Sequence, residues 1–144
     1  MMSSVRRNLV PFLPPPLRRF AQSIFRVYYN MSDCIFCKII AGEAKATIVY
    51  KDENVTAFRD VHPVAPTHIL IVPNKHIQSV GKLEPDDASL AGQLLLTARK
   101  LAEQEGIAES GFRIIANTGP NGGQTVPHLH VHLIGGQHMK FPMG

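Results

Sequence analysis

The stretch Gly122-Gly-Gln-Thr-Val-Pro127 runs directly into His128-Leu-His-Val-His132 and then Leu133-Ile134. Side chains on a β-strand alternate between faces with period two. Read as a strand, the segment puts His128, His130 and His132 on one face. Leu129, Val131 and Leu133 then share the other face, where a core would take them. Imidazoles titrate near neutrality and serve as nucleophile, proton carrier or metal ligand. Three of them crowded on one surface point to chemistry.

Around this segment the chain has the proportions of one domain. It holds 144 residues, too few for two comfortable domains. Its apolar fraction of 44% is ordinary for a globular protein. No apolar run approaches the ~20 residues that a membrane helix needs. The net charge of +4 is unevenly spread. Residues 1–30 carry Arg6, Arg7, Arg18, Arg19 and Arg26 and no acid. Without those five, ten Lys and Arg face eleven Asp and Glu, a body of net charge −1. Neither a nucleic-acid partner nor a membrane partner is expected of such a body.

The first 30 residues have two readings. An Arg-rich, acid-free stretch in which Leu17, Ala21, Ile24 and Tyr28 share one helical side has the character of a transit peptide. Alternatively, residues 1–30 are a disordered or untranslated extension and the domain starts at Met31. The first reading implies a mitochondrial or other organellar location, the second a cytoplasmic one. The folded domain is expected to be 31–144 on either.

Within that body the local signals alternate cleanly. Cys34 to Ala41, ended by Gly42, reads as a short helix. Thr47–Tyr50 and Val55–Phe58 flank a Lys51-Asp-Glu-Asn54 turn and read as a hairpin. Asp60 to Pro66 reads as loop, and His68–Pro73 as a buried central strand. Pro and acids at residues 84–87 open one long helix, with Leu90, Leu94, Ala98 and Leu101 at helical spacing and a stop near Gly106. Phe112–Ala116 is the next strand. A tight Gly/Pro loop from Asn117 to Gln124 leads into the histidine strand. Short antiparallel strands with segregated helices predict an α+β fold of about five strands, one long helix and one short one.

The triad admits two chemistries. Histidines at this spacing can share one zinc ion, but no acidic partner stands nearby in sequence. As a nucleophilic centre, an imidazole would attack phosphorus while glycine-loop N–H groups, the Thr125 hydroxyl and the Asn117 amide cradle the phosphate. The second reading uses every polar feature of residues 117–132. Cys34 and Cys37, spaced Cys-x-x-Cys, suit a reduced thiol pair or half a zinc site. His62 and His138 read as ordinary loop residues.

With φ for an apolar residue, His-φ-His-φ-His-φ-φ over residues 128–134 resembles the motif of the histidine-triad (HIT) superfamily. Cys34–Glu43, Ala65–Pro73, Lys75-His-Ile77, Asn117-Thr-Gly119 and Gly122–Thr125 are similar to its Hint branch, the histidine-triad nucleotide-binding proteins. The resemblance spans residues 33–144. It implies hydrolysis of a P–N bond in a purine nucleoside 5′-phosphoramidate, releasing AMP or GMP and an amine, with no catalytic cofactor. His130 would be the nucleophile and His132 would bond the α-phosphate. His128 and His68 would orient the nucleophile and relay protons. Asp60 would hold the ribose, with Val61 in the purine pocket and Ile35, Phe36 and Ile39 closing it. Asn117, Gly123, Gln124 and Thr125 would line the phosphate.

The resemblance carries further expectations and rivals. Some relatives hold structural zinc, which here would fall to Cys34, Cys37, His76 and His128. His128 would then be a metal ligand rather than a relay partner. Dimerisation into a continuous sheet is also implied. The chain departs from the branch at Thr125, where serine is common, at Pro127, where a bulkier residue is common, and at Phe141, where some relatives carry tryptophan. One rival activity is dinucleoside polyphosphate hydrolysis, whose enzymes tend to carry a Pro-Arg after the triad that is missing here. The other is a nucleotide-binding interaction module without essential turnover.

Overall fold

The computed structural model describes residues 33–143. The transit-peptide and extension readings of residues 1–30 lie outside those residues. A short helix α1 (Ile35–Ile40) is followed by strands β1 (Ile48–Lys51), β2 (Val55–Arg59) and β3 (Thr67–Pro73). Helix α2 (Ala88–Gln104) and strands β4 (Phe112–Ile115) and β5 (Val131–Gly135) complete the domain. One antiparallel five-stranded sheet runs β1-β2-β3-β5-β4. The α+β expectation therefore holds, with strand and helix boundaries within about two residues of those read from the sequence, except at the triad. Among the described residues, no helix is long and apolar enough to cross a membrane.

The period-two alternation of the strands sorts the two faces of the sheet. Val55, Ala57, Ile69, Ile71, Leu129, Val131 and Leu133 pack with Leu94, Ala98 and Leu101 of α2. Phe58, Leu70 and Val72 pack on the opposite face with Phe36 and Ile39 of α1. Helix α1 has six residues and covers only part of that face. The remaining face carries histidines.

Helix α2 enters through a 3₁₀ turn, Pro85–Asp87, where Glu84 and Asp87 cap one another reciprocally. Lys75 Nζ donates to buried Asp87 at 2.8 Å, tying this entrance to the segment after β3.

One expectation needs correction. The triad does not lie wholly on a strand, since β5 begins only at Val131. Ahead of it the chain is pinned by other bonds. The His128 N–H donates to the Val126 carbonyl at 2.9 Å and the Leu129 N–H to the Ile77 carbonyl at 2.6 Å. The predicted alternation survives, because Leu129 is buried on the α2 side while His128 and His130 are buried on the other.

Candidate functional site

Four side chains converge at the N-terminus of α1. Cys34 caps the helix, its sulfur accepting from the Cys37 N–H at 3.4 Å. His128 Nδ1 lies 3.3 Å from Cys34 Sγ, 3.6 Å from Cys37 Sγ and 3.1 Å from His76 Nδ1. Cys37 Sγ is 3.3 Å from His76 Nδ1. All four donor atoms fall within 4.8 Å of one another.

The far side of His128 shows how this cluster is built. Its Nε2 lies 2.9 Å from the Pro73 carbonyl oxygen, an acceptor that requires the ring proton on Nε2. Nδ1 then offers a lone pair to the cluster. Two thiols and two imidazoles facing one point form a Cys₂His₂ donor set suited to tetrahedral zinc. The outward hydrogen bond that fixes a metal-binding imidazole is also in place. The residues therefore fit the ion. Burial pushes the Cys37 thiol up to about 11, with Cys34 adding to the effect. Burial drives His128 down to about 4, against the pull of the Pro73 carbonyl.

His130 sits beside this cluster and faces the other way. Its Nδ1 lies 2.6 Å from the His128 carbonyl oxygen. A carbonyl only accepts, so the proton sits on Nδ1 and Nε2 carries the free lone pair. The ring is walled edge-on by Phe36 and by His132, with centroids 5.2 and 5.0 Å away.

His132 is fixed by a chain of two hydrogen bonds with a carboxylate beside it. The Val64 N–H donates to His68 Nδ1 at 3.2 Å. Main-chain N–H groups cannot accept, so a neutral His68 carries its proton on Nε2. That atom lies 2.9 Å from His132 Nδ1 and 3.4 Å from Asp60 Oδ2. His132 therefore accepts at Nδ1 and carries its own proton on Nε2. Asp60, His68 and His132 also lie within 4.8 Å of one another. Their ring nitrogens already partner each other, so this set is less suited to an ion than the cysteine cluster. Burial lowers the pKa of His68, with Asp60 opposing. It drives His132 down to about 4, helped by His130 and His68 and opposed by Asp60.

The glycine loop is stiffened by its own amides. Asn117 Nδ2 donates to the Gly122 carbonyl at 2.6 Å. Gln124 accepts from the Gly119 N–H at 3.0 Å and donates to the Gln78 and Val126 carbonyls at 2.7 and 3.0 Å. A Cβ at Gly122 would fall 2.3 Å from the Thr118 carbonyl oxygen, so the turn closes only around glycine. Asn117 and Gln124, both expected to line a phosphate, use these amide bonds to brace the loop. Gly123 and Thr125 remain exposed on it.

The other expected residues divide. Phe36 does touch the triad, whereas Ile39 is core. Ile35 and Val61 are 45% and 80% exposed, free to line an open pocket but enclosing nothing by themselves. His68 meets His132 rather than His130. The His128 side chain turns to the cysteines, and only its carbonyl serves His130. Sequence reasoning missed Val64 N–H and the Pro73 and Gln78 carbonyls, which are main-chain groups with no residue signature.

A buried histidine with a free lone pair, next to a second histidine that keeps an N–H, gives this α+β sheet a site equipped for nucleophilic chemistry. The family model for the HIT domain matches residues 41–139, and the chain belongs to that family. Over 105 residues it is 51% identical to the purine nucleoside phosphoramidase of Escherichia coli (strain K12), covering 73% of this chain and 88% of that one. It is 48% identical over 115 residues to the 14 kDa zinc-binding protein of Zea mays, covering 78% and 89% of the two chains. The crystal structure of a HIT family hydrolase from Legionella pneumophila Philadelphia 1 superposes with a TM-score of 0.76 at 48% identity, covering 78% of this chain and all of that one.

Proposed function

We propose that the protein is a purine nucleoside 5′-phosphoramidate hydrolase working through a nucleotidyl-histidine intermediate. The observation that carries this reading is the 2.6 Å contact from His130 Nδ1 to the His128 carbonyl, which leaves Nε2 as the lone-pair atom. In the first step Nε2 attacks the α-phosphorus, the P–N bond breaks, and the amine leaves with a proton drawn from solvent. In the second, water attacks phosphorus and gives a proton back to solvent, the P–Nε2 bond breaks, and the nucleoside monophosphate departs. Splitting one displacement into two lowers each barrier. The name carried by the Escherichia coli relative supports the same reaction.

The remaining groups bind and orient. His132 Nε2–H donates to a non-bridging oxygen, where negative charge grows in the transition state. Loop N–H groups around Gly123 and the Thr125 hydroxyl line the same oxygens. Asp60 accepts from the ribose hydroxyls, with Val61 and Ile35 against the purine. Zinc would be held by Cys34, Cys37, His76 and His128, and it would supply rigidity to the segment before His130. The Zea mays relative's name agrees with that assignment.

A homodimer joined edge to edge is part of the same reading. β4 is an outer strand of the sheet, its Phe112 and Ile114 are exposed, and so are Leu95 and Leu96 on α2. A groove of about 750 Å³ beside this edge includes Phe112, Arg113 and Phe141. Arg113 holds the C-terminal segment through the Phe141 carbonyl at 2.7 Å. Light scattering should return twice the chain mass if the edge is paired.

The experiment that tests the activity is turnover of adenosine 5′-phosphoramidate against diadenosine tetraphosphate, with and without a chelator. Rapid chelator-insensitive P–N cleavage, with a trapped adenylyl-protein by mass spectrometry, is expected. Preference for the dinucleotide would move the chain to polyphosphate hydrolysis, and inactivity on both would favour a nucleotide-binding module.

A further inference from the structure

We infer that Asp60 is a positioning residue for the chemical step, acting through His68 to hold His132 as an Nε2–H donor, in addition to any contact with the sugar. The inference rests on the hydrolase reading for its kinetic consequence, but its structural content stands apart from that reading.

The geometry is that of a directed chain. Asp60 Oδ1 accepts from the His62 N–H at 2.8 Å, which fixes the carboxylate plane. Oδ2 is thereby turned towards His68 Nε2, 3.4 Å away. The pair is sheltered, with side-chain exposures of 5% for His68 and 17% for Asp60. The Asp60 N–H also donates to the His68 carbonyl at 3.0 Å, so backbone and side chain hold the two residues in one register. A carboxylate has about four lone-pair positions, so Oδ2 can face His68 and still accept from a ribose hydroxyl.

Each element constrains the next. Val64 N–H closes Nδ1 of His68 to a proton. The carboxylate 3.4 Å away reinforces that choice, since its negative charge favours a proton on Nε2 of the same ring. His132 Nδ1 takes the hydrogen bond from that atom and its own proton is left on Nε2. The other group against His132 is His130, with ring centroids 5.0 Å apart. Its Nδ1 is bound to the His128 carbonyl, and its free Nε2 lone pair makes no hydrogen bond to His68 among the described residues, so it does not take the place of Asp60.

Asp60→Asn isolates the effect. Its amide oxygen can keep the His62 bond, which turns the NH₂ group towards His68 Nε2–H. Two donors then face each other and the chain loses its direction. A role confined to ribose would leave a substrate without ribose hydroxyls indifferent to this change. A positioning role would not.

The test uses the full chain and 2′,3′-dideoxyadenosine 5′-phosphoramidate. Asp60→Asn is expected to lower kcat on this substrate about tenfold with little change in KM. Unchanged kcat would overturn the inference. In parallel, ¹⁵N-histidine spectra of the unsubstituted protein should show His132 with its proton on Nε2, and those of Asp60→Asn a mixture of tautomers. A wild-type His132 protonated on Nδ1 would overturn the inference without any variant. If the unsubstituted protein cleaves no phosphoramidate, the hydrolase reading fails, and the spectra alone decide the positioning role.

Discussion

Phe36 meets the ring of His130 edge-on, with centroids 5.2 Å apart and planes at 85°. It lies between Cys34 and Cys37 on α1, and it also packs edge-on against Phe58 at 5.3 Å. One short helix thus supplies two donors to the cysteine cluster and one wall to His130. Truncating Phe36 to Ala should cost about 3–5 kcal/mol of stability, since the side chain is buried between sheet and triad. Urea denaturation measures that cost. Activity of the still-folded fraction should also fall, because His130 gains rotational freedom.

His130→Ala removes the atom proposed to attack phosphorus and little of the pocket. Turnover of adenosine 5′-phosphoramidate should drop by at least about 10³-fold, while AMP affinity measured by calorimetry stays within about tenfold. Near-normal turnover in this variant would falsify the nucleophile assignment.

The cysteine cluster predicts a bound ion per chain. Cys34→Ser and Cys37→Ser should each lower the zinc content found by elemental analysis, and the melting temperature with it. Cobalt substituted into the unmodified protein should give the absorption of a tetrahedral thiolate site. If the purified chain holds no metal and a chelator leaves its melting temperature unchanged, the cluster is only a packed thiol pair.

Acid should destabilise the fold through His68 and His132. Burial holds both rings neutral below their ordinary value of 6.5, and His132 down to about 4. Between those values the unfolded chain binds more protons than the folded one. The contribution is therefore complete above about pH 6.5 and is lost as the pH falls towards 4. Denaturation midpoints at a series of pH values should decline through this window, and His132→Asn should decline less steeply.

Gly122→Ala forces a methyl group to within 2.3 Å of the Thr118 carbonyl oxygen, which is main chain and cannot step aside cheaply. A loss of about 1–3 kcal/mol is expected. The loop N–H groups should be displaced as well, raising KM for the nucleotide. A stable variant with unchanged KM would show that the loop does not meet the phosphate.

The elements that were legible in the sequence are those with a period. Ile69, Ile71, Val131 and Leu133 alternate against the long helix as their spacing requires, and Leu94, Ala98 and Leu101 supply its buried stripe. The pairing of Cys34 and Cys37 with His76 and His128 was legible only through a family pattern, because those residues meet across a span of up to 94 positions. What stayed hidden has no side-chain code. The Val64 N–H, the Pro73 carbonyl and the His128 carbonyl decide three tautomers, yet any residue type would provide them. The strand's late start at Val131 follows from bonds to Ile77 and Val126, which hydrophobic alternation cannot report. The bonds by which the Asn117 and Gln124 amides brace the loop likewise depend on main-chain partners that carry no residue signature.

His128 serves two neighbours with two different parts of itself, and the genetic code reaches only one of them. Its ring can be replaced by another side chain, but the carbonyl that holds His130 is present whatever the codon. The donor cluster can therefore be rewritten over evolutionary time, gaining or losing its cysteines, without erasing the oxygen that aims the neighbouring imidazole. A lineage that discarded the ion would have to rebuild rigidity around residue 128, not the acceptor itself.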